Sequence, residues 1–403
     1  MTDAILVLNA GSSSIKFAVH SLARNGNTLL LHGKIENIGG TPDFTAHDAT
    51  GKPMAEGGLR DISKASDHEM LTGQLLTWLE HHHEGLRLVG AGHRVVHGGR
   101  DFEGPVMLTP EIMQQLEALT SLAPLHQPHN LAAIRAVSTW APKLRQVACF
   151  DTSFHRTQPR LAQLFALPRK LNDAGIIRYG FHGLSYEYIA DILPDHLGDK
   201  ARDRVIVAHL GNGASMCAIR DLKSVATTMG FTALHGLMMG RRCGTLDAGV
   251  VLHLIQEMHM DPDQVLHILY QESGLLGVSG ISNNMHVLQD SQDPHAKEAI
   301  ELYCYFAARE LSALIPALGG LDTIIFTAGI GENSARVRQG ICKYLNWLGV
   351  EIDGAANGSN ATIISSADSA VSVLVIPTNE ELVVANSVRS LLAGSKSKEG
   401  YPK

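Results

Sequence analysis

The chain has no Gly-x-x-x-x-Gly-Lys-Ser/Thr loop, no Gly-x-Gly-x-x-Gly entering a helix, no His-Glu-x-x-His and no Gly-x-Ser-x-Gly. These absences exclude a P-loop enzyme, a Rossmann dinucleotide site, a zincin and a nucleophile-elbow hydrolase. Any phosphate must therefore be handled by hairpin turns. Long apolar runs are also missing, and none approaches the roughly 18 residues of a membrane span. The five cysteines, Cys149, Cys217, Cys243, Cys304 and Cys342, never form a C-x-x-C pair. Four lie in apolar or strand-like runs and read as buried thiols; Cys243 sits in a polar, Gly-flanked loop. Met1-Thr2-Asp3 lacks the basic start of a secretory leader, and the apolar run 4–8 is one strand long, so a cytoplasmic protein is expected. Positive charge is outnumbered, 33 Lys and Arg against 40 Asp and Glu, a net charge of −7. That balance argues against nucleic acid or an anionic membrane as the main partner. A site for an anion must be locally basic.

What is present points to a globular enzyme. With 403 residues, 45% of them hydrophobic and 18% charged, the chain is long enough for two domains. Its 39 glycines imply many tight turns. Ile5-Leu6-Val7-Leu8 reads as a buried strand, and Asn9-Ala10-Gly11-Ser12-Ser13-Ser14 breaks it before the alternating run from Ile15 to Val19. The figure returns later: Val205 to Ala208 leads into His209-Leu210-Gly211-Asn212-Gly213-Ala214, then Ser215 to Ile219. Segment 209–219 overlays 9–19 without a gap, so two related domains are expected. Thr323 to Phe326 followed by Gly329-Ile330-Gly331-Glu332-Asn333 gives a third strand and Gly loop. Helices are expected over 110–122 (Thr109 as N-cap, Pro110 at the first position), 185–193 and 296–318. Strands alternating with helices imply α/β layers. The tail 394–403 is polar and expected to fray.

Several segments carry candidate chemistry. Gly11 with Ser12 to Ser14, and Gly211-Asn212-Gly213, can turn backbone N–H groups inward as anion nests, or be plain hairpin turns. Lys16 could add charge to the first. Arg94, between apolar neighbours in Gly92-His93-Arg94-Val95-Val96-His97-Gly98-Gly99, needs an anionic partner and matches a carboxylate or phosphate. Met239-Gly240-Arg241-Arg242-Cys243-Gly244 offers a second cationic turn, in which Arg241 fits a surface role better than Arg242. Asp151 ends the apolar run 147–150, where open α/β sheets place their chemistry. His182 stands between glycines in Tyr179-Gly180-Phe181-His182-Gly183. The tract His81-His82-His83 reads as solvated. Glu380-Glu381 after the run 371–376 suits Mg²⁺, or the first turn of a helix.

Taken together, LNAGSSSIKF, GHRVVHGG, FDTSFH, YGFHG, HLGNGAS, GLMMGRRCG, FTAGIGENS and PTNEEL resemble the acetate kinase family. That family belongs to the superfamily of acetate and sugar kinases, heat-shock chaperone ATPases and actin. The resemblance runs from Ile5 to about Ser387. It implies two ribonuclease H-like (actin-like ATPase) α/β domains with a nucleotide cleft between them, over 1–150 and 151–386, and a final helix near 387–403 returning to the first. It implies ATP as phosphoryl donor, acetate as acceptor, Mg²⁺ with Mn²⁺ able to substitute, and a homodimer. Asn9 and Glu380 would hold the metal. Ser14 and Lys16 would belong to the first phosphate loop, and His209, Leu210, Gly211, Asn212 and Gly213 to the second. Asn284, Met285, His286 and Gly329, Ile330, Gly331, Glu332, Asn333 would line the nucleoside. Arg94 would bind the acid, with Val96, Leu125, Phe181 and Ala233 around its alkyl group. Asp151, His182 and Arg242 would surround the transferred phosphoryl, Asp151 orienting either the acid or an arginine.

The chain also departs from the family pattern. Ala233 replaces a usual proline, which makes propionate an alternative acceptor. Asn284 and His286 stand where Asp and Arg are usual, bearing on nucleotide choice. Leu184 and Tyr186 replace Thr and His. Rival readings are a propionate or butyrate kinase, a nucleotide-driven machine of the chaperone or actin kind, and a silent nucleotide-binding protein.

Overall fold

This computed structural model describes residues 1–403 apart from 24–25, 55–57, 60–61, 64, 83–84 and 397–403. His83 and most of the polar tail thus lie outside the described residues. The chain divides into two compact units, Met1–Phe154 with Asn379–Lys403, and His155–Thr378.

In the first unit β1 (Thr2–Ala10), β2 (Ile15–Ala23), β3 (Gly26–Glu36) and β4 (Asp43–Asp48) form an antiparallel meander. Beyond β1 lie β5 (Leu86–Val95), the short β6 (Val106–Met107) and β7 (Gln146–Phe150). The sheet order is β4-β3-β2-β1-β5-β7-β6, with β1, β5 and β7 parallel. Both faces are covered, which is why β1 and β7 are almost wholly apolar instead of alternating. Helices α1 (His68–His82) and α3 (Gln127–Trp140) pack together, burying Leu71, Leu75, Trp78, Ala133 and Val137 with Leu6, Leu8, Phe17 and Ala91. The shorter α2 (Pro110–Ala118) begins as expected: Thr109 Oγ1 accepts from the Ile112 amide, and Pro110 occupies the first turn. It stops short of Leu122 because residues 119–122 tighten into a 3₁₀ turn. The C-terminal helix (Glu380–Lys396) lies against β5 on the other face. Gly90 and Gly92 make room for it: a Cβ on Gly92 would stand 2.4 Å from Val384 Cγ1.

The second unit repeats the plan. Strands β8 (Val205–Leu210), β9 (Ala214–Arg220) and β10 (Lys223–Thr227) form the meander, and β11 (Thr323–Thr327) and β12 (Ser372–Val375) add in parallel beyond β8. The order β10-β9-β8-β11-β12 matches β3-β2-β1-β5-β7 of the first sheet. Helix α4 (Gly183–Leu197) packs on β8. Helix α5 (Pro294–Leu318) lies on β8, β9 and β10, started by an Asp293 cap and stopped at Gly319 with φ 74°.

Two expectations change. The gapless overlay of the hairpins fails after the turn: Ala10 pairs with Ile15, but Leu210 pairs with Ala214, so the second loop is one residue shorter. Residues 328–333 form a short helix, α6 (Ala328–Asn333), rather than an open Gly loop. The cysteines behave as read, four buried and Cys243 half-buried. Among the described residues no helix is long and apolar enough to cross a membrane.

Candidate active site

The parallel strands of the first unit end in an ionic cluster. Arg94 near the end of β5 donates from Nε to Asp151 Oδ1 at 2.7 Å and from Nη2 to Asp151 Oδ2 at 2.6 Å. Its Nη1 donates to Asn9 Oδ1 at 3.2 Å, and Glu380 Oε2 lies 3.7 Å from Nε. Asp151 is 2% exposed, so this is a bidentate pair largely removed from water. Burial works against the charge on Arg94, but the carboxylates of Asp151, Glu380 and Glu381 outweigh it and push its pKa up. Of the two roles open for Asp151, orienting an arginine is the one the geometry supports. Three of the five guanidinium N–H groups are engaged in these bonds, leaving one on Nη1 and one on Nη2 at the outer edge. Of its two readings, Glu380 meets the helical one, standing in the first turn of the C-terminal helix, and its carboxylate lies beside Arg94.

The first loop is held from below. The Gly11 amide donates to Ser14 O at 2.8 Å, and Gly11 O meets His68 Nε2 at 2.6 Å. The Gly11 amide therefore closes its own turn, as does that of Gly211, which donates to Gly213 O at 3.1 Å. Neither of these two amides is part of an outward nest. Lys16 pairs across the hairpin with Asn9, which places both side chains on one face of the sheet. Val96 is half-buried at the end of β5, and its amide donates to Asn130 Oδ1 at 2.9 Å. Leu125 is half-buried just before α3.

In the second unit, His182 caps α4 with a left-handed φ of 59°. Its ring stacks on His209 at 4.2 Å, and its Nδ1 meets Ser215 Oγ at 2.8 Å. His209 and Ser215 face each other across β8 and β9, so one cross-strand pair orients the ring. A Cβ on Gly213 would stand 3.4 Å from His182 Nε2 and 3.7 Å from Arg242 Nη1. A ring nitrogen and a guanidinium nitrogen thus stand close to one point beside Gly213. Arg242 Nη1 itself donates to Ala233 O at 3.0 Å and lies 3.8 Å from Met239 Sδ, whereas Arg241 is exposed. Phe181 is buried, and its carbonyl meets His155 Nε2 at 3.0 Å.

A cavity of 380 Å³ lies beside this point within the same unit. Asn284, Met285, His286, Gly329, Ile330 and Asn333 line it, six of the eight residues expected at the nucleoside, together with Gly211 and Asn212 of the second phosphate loop. Gly331 and Glu332 do not. Gly331 is buried near Ala208 O, and Glu332 Oε1 accepts from the amides of Ala328 at 2.7 Å and Thr378 at 3.2 Å. These two shape the wall rather than form it. Asn284 caps its helix by accepting from the His286 amide at 2.9 Å, and exposed His286 pairs with Asp290 at 3.0 Å.

Several supporting residues went unread in the sequence. Asn130 also donates to Ala10 O at 2.6 Å, tying the ends of β1 and β5 together, and Gln127 Nε2 donates to His97 O at 3.2 Å. Their signal was two polar residues in the first turn of a helix marked by Pro128. Arg338, fully buried, donates to Gly331 O, Glu332 O, Asn357 and Asn360 and so fixes the end of α6. Nothing local in the sequence marks it. Asn283, Gln289 and Ser334 complete the cavity wall.

The model of the acetokinase family matches residues 4–386. An acetate kinase of Rhodopseudomonas palustris is 51% identical over 401 residues, covering 98% of this chain and 100% of the relative. A solved propionate kinase from Francisella tularensis superposes with a TM-score of 0.87 at 35% identity, over 96% of this chain and 99% of that one. A Porphyromonas gingivalis acetate kinase gives 0.84 at 32% identity, over 97% and 100%. The architecture is the actin-like ATPase fold expected from the motifs.

Proposed function

The chain belongs to the acetokinase family, and on that footing we propose that it is an acetate kinase, moving the γ-phosphoryl of ATP onto acetate to give acetyl phosphate and ADP. The observation that carries this reading is that His182 Nε2 and Arg242 Nη1 stand within 3.4 and 3.7 Å of one point beside Gly213. An anion is stabilised there without reorganisation, as in-line phosphoryl transfer requires. The nucleoside would fill the adjoining 380 Å³ cavity.

The first unit supplies the acceptor side. The outer Nη1 and Nη2 edge of Arg94 would hold the acetate carboxylate, with Asp151 keeping the guanidinium planar to it. A carboxylate is already a nucleophile, so Asp151 serves to position and not to remove a proton. Asp151, Glu380 and Glu381 set three negative charges against the one of Arg94, a formal excess of two that suits a divalent cation. Asn9 and Glu380, oxygen donors on one cluster, would hold Mg²⁺ together with water and phosphate oxygens. The ion would neutralise charge on the polyphosphate. Mn²⁺ has the same oxygen preference. Lys16 and Ser14 would add phosphate contacts in the first unit.

Propionate is the second reading, favoured by Ala233 in place of proline. A hydroxylamine trap for acyl phosphate, run with ATP and Mg²⁺ on acetate, propionate and butyrate, tests both. Acetyl hydroxamate as the main product is expected. Silence on all three acids, with no acyl phosphate formed, would remove the assignment and favour a nucleotide-driven machine.

Association as a homodimer has a surface to use. Helix 248–256 buries none of its residues, and Leu246, Val250 and Leu252 are 39%, 41% and 55% exposed. Light scattering should give a dimer, and Leu252→Asp a monomer. An enzyme that draws on ATP and acetate would work in the cytoplasm.

A further inference from the structure

We propose that Tyr186 is a positioning residue that sets which nitrogen of His182 carries the proton, acting through the Ser215 hydroxyl. The inference rests on the reading of His182 as a donor to the transferred group. Tyr186 lies in the first turn of α4, four residues after the capping His182. It is fully buried, with its Oη 2.5 Å from Ser215 Oγ, and Ser215 Oγ is 2.8 Å from His182 Nδ1. The tyrosine ring stands edge-on to His155 at 5.5 Å and to His209 at 6.4 Å. Since His209 stacks on His182, packing fixes every member of the chain.

The direction of the chain follows from proton inventory. A serine hydroxyl has one proton to give and two lone pairs to offer. A phenol is the stronger acid of the two hydroxyls, so Tyr186 donates to Ser215. Ser215 then directs its own proton at His182 Nδ1. A neutral imidazole that accepts at Nδ1 carries its proton on Nε2. That is the nitrogen beside Gly213, near which Arg242 Nη1 also stands. A neutral ring gives the donor without setting a second full charge against the guanidinium. Tyrosine at this position fixes the direction, because a phenol donates at any working pH whereas an imidazole there could accept instead.

The test is a long-range ¹H–¹⁵N spectrum of the histidine-labelled, full-length protein at neutral pH, with His182 assigned by its loss in His182→Gln. Wild type should show an accepting Nδ1 and a protonated Nε2. Tyr186→Phe keeps the buried ring and hence the fold; it should mix the two tautomers and lower kcat by about tenfold, with KM for acetate unchanged. Ser215→Ala should do the same, and the double variant should be no slower than Ser215→Ala alone. Tyr186→His should recover part of the loss. A wild-type His182 protonated on Nδ1 overturns the proposal, as do multiplicative losses in the double variant or an unchanged spectrum in Tyr186→Phe. A changed tautomer with unchanged kcat upholds the relay and instead removes His182 from the transfer, so the two failures are distinguishable.

Discussion

The two hairpins share a topology and differ in what surrounds their tips. In the first unit, Asn9 sits beside Arg94, Asp151 and Glu380, a charged set fixed by short ion pairs. In the second, His209 and Ser215 occupy the corresponding ladder end and meet rings and hydroxyls, with Arg242 as the cation. The parallel neighbour makes the difference. Strand β5 delivers Arg94 next to the first loop, while β11 delivers Thr327 opposite His209 and then starts α6. One sheet order can thus carry an ionic site or a hydrogen-bonding site, since the residues at strand ends are free of the core's demand for apolar bulk.

Substitutions can break this contrast on either side, beginning with the largest effect. Arg94→Ala would leave Asp151 as a buried carboxylate without its main partner, and denaturant unfolding should show a loss of about 3–5 kcal/mol. Arg94→Ala/Asp151→Ala should regain part of it; no recovery would mean the pair is not the reason for the loss. On the hydrogen-bonding side, Arg242→Ala should keep the fold and cost about 3–4 kcal/mol in the barrier, roughly 10²–10³ in kcat. Near-normal turnover would remove Arg242 from the transfer. Ala233→Pro should lower the propionate to acetate ratio of kcat/KM by about 1–3 kcal/mol, read from competing acids in one assay.

Acid should separate the units more gently. Burial pushes His20, His93 and His97 of the first unit, and His155 of the second, down to about 4. Each folded pKa lies below the unfolded value near 6.5, so the unfolded chain takes the proton first. Their contribution is complete above about pH 6.5 and is lost as pH falls through about 4. At pH 5 each should cost on the order of 1–2 kcal/mol. Hydrogen exchange should therefore show the first unit losing protection before the second; the reverse order would contradict it. The smallest effect is expected from Asn284→Asp, which keeps the cap on His286 and should shift stability by no more than about 0.5 kcal/mol. A change in KM for ATP without a change in melting temperature would show that the charge at 284 concerns the nucleotide and not the helix.

Much of this was readable along the chain. Continuous apolar runs gave β1, β7, β8 and β11, because strands covered on both faces leave no polar alternation to obscure them. Arg94 announced an anionic partner by its apolar neighbours, and Asp151 by ending a buried strand. The turn length of the second hairpin was not readable, since glycines allow either register and only the ladder selects one. Helix α6 was missed because its glycines mimic a loop, while its stability comes from Glu332 and Arg338 binding its exposed ends.

By itself, the sequence determined the elements, the duplicated sheet plan and the residue types that meet phosphate and carboxylate. Those depend on periodicity and local chemistry, which neighbours in sequence encode. Only the tertiary structure decided that Asp151 grips Arg94, that Gln127 and Asn130 brace the strand ends, and that Tyr186 reaches His182 through Ser215. A hydrogen bond needs its partner within about 3 Å at the right angle, and partners tens of residues apart along the chain reach that distance only when the sheet has set its register.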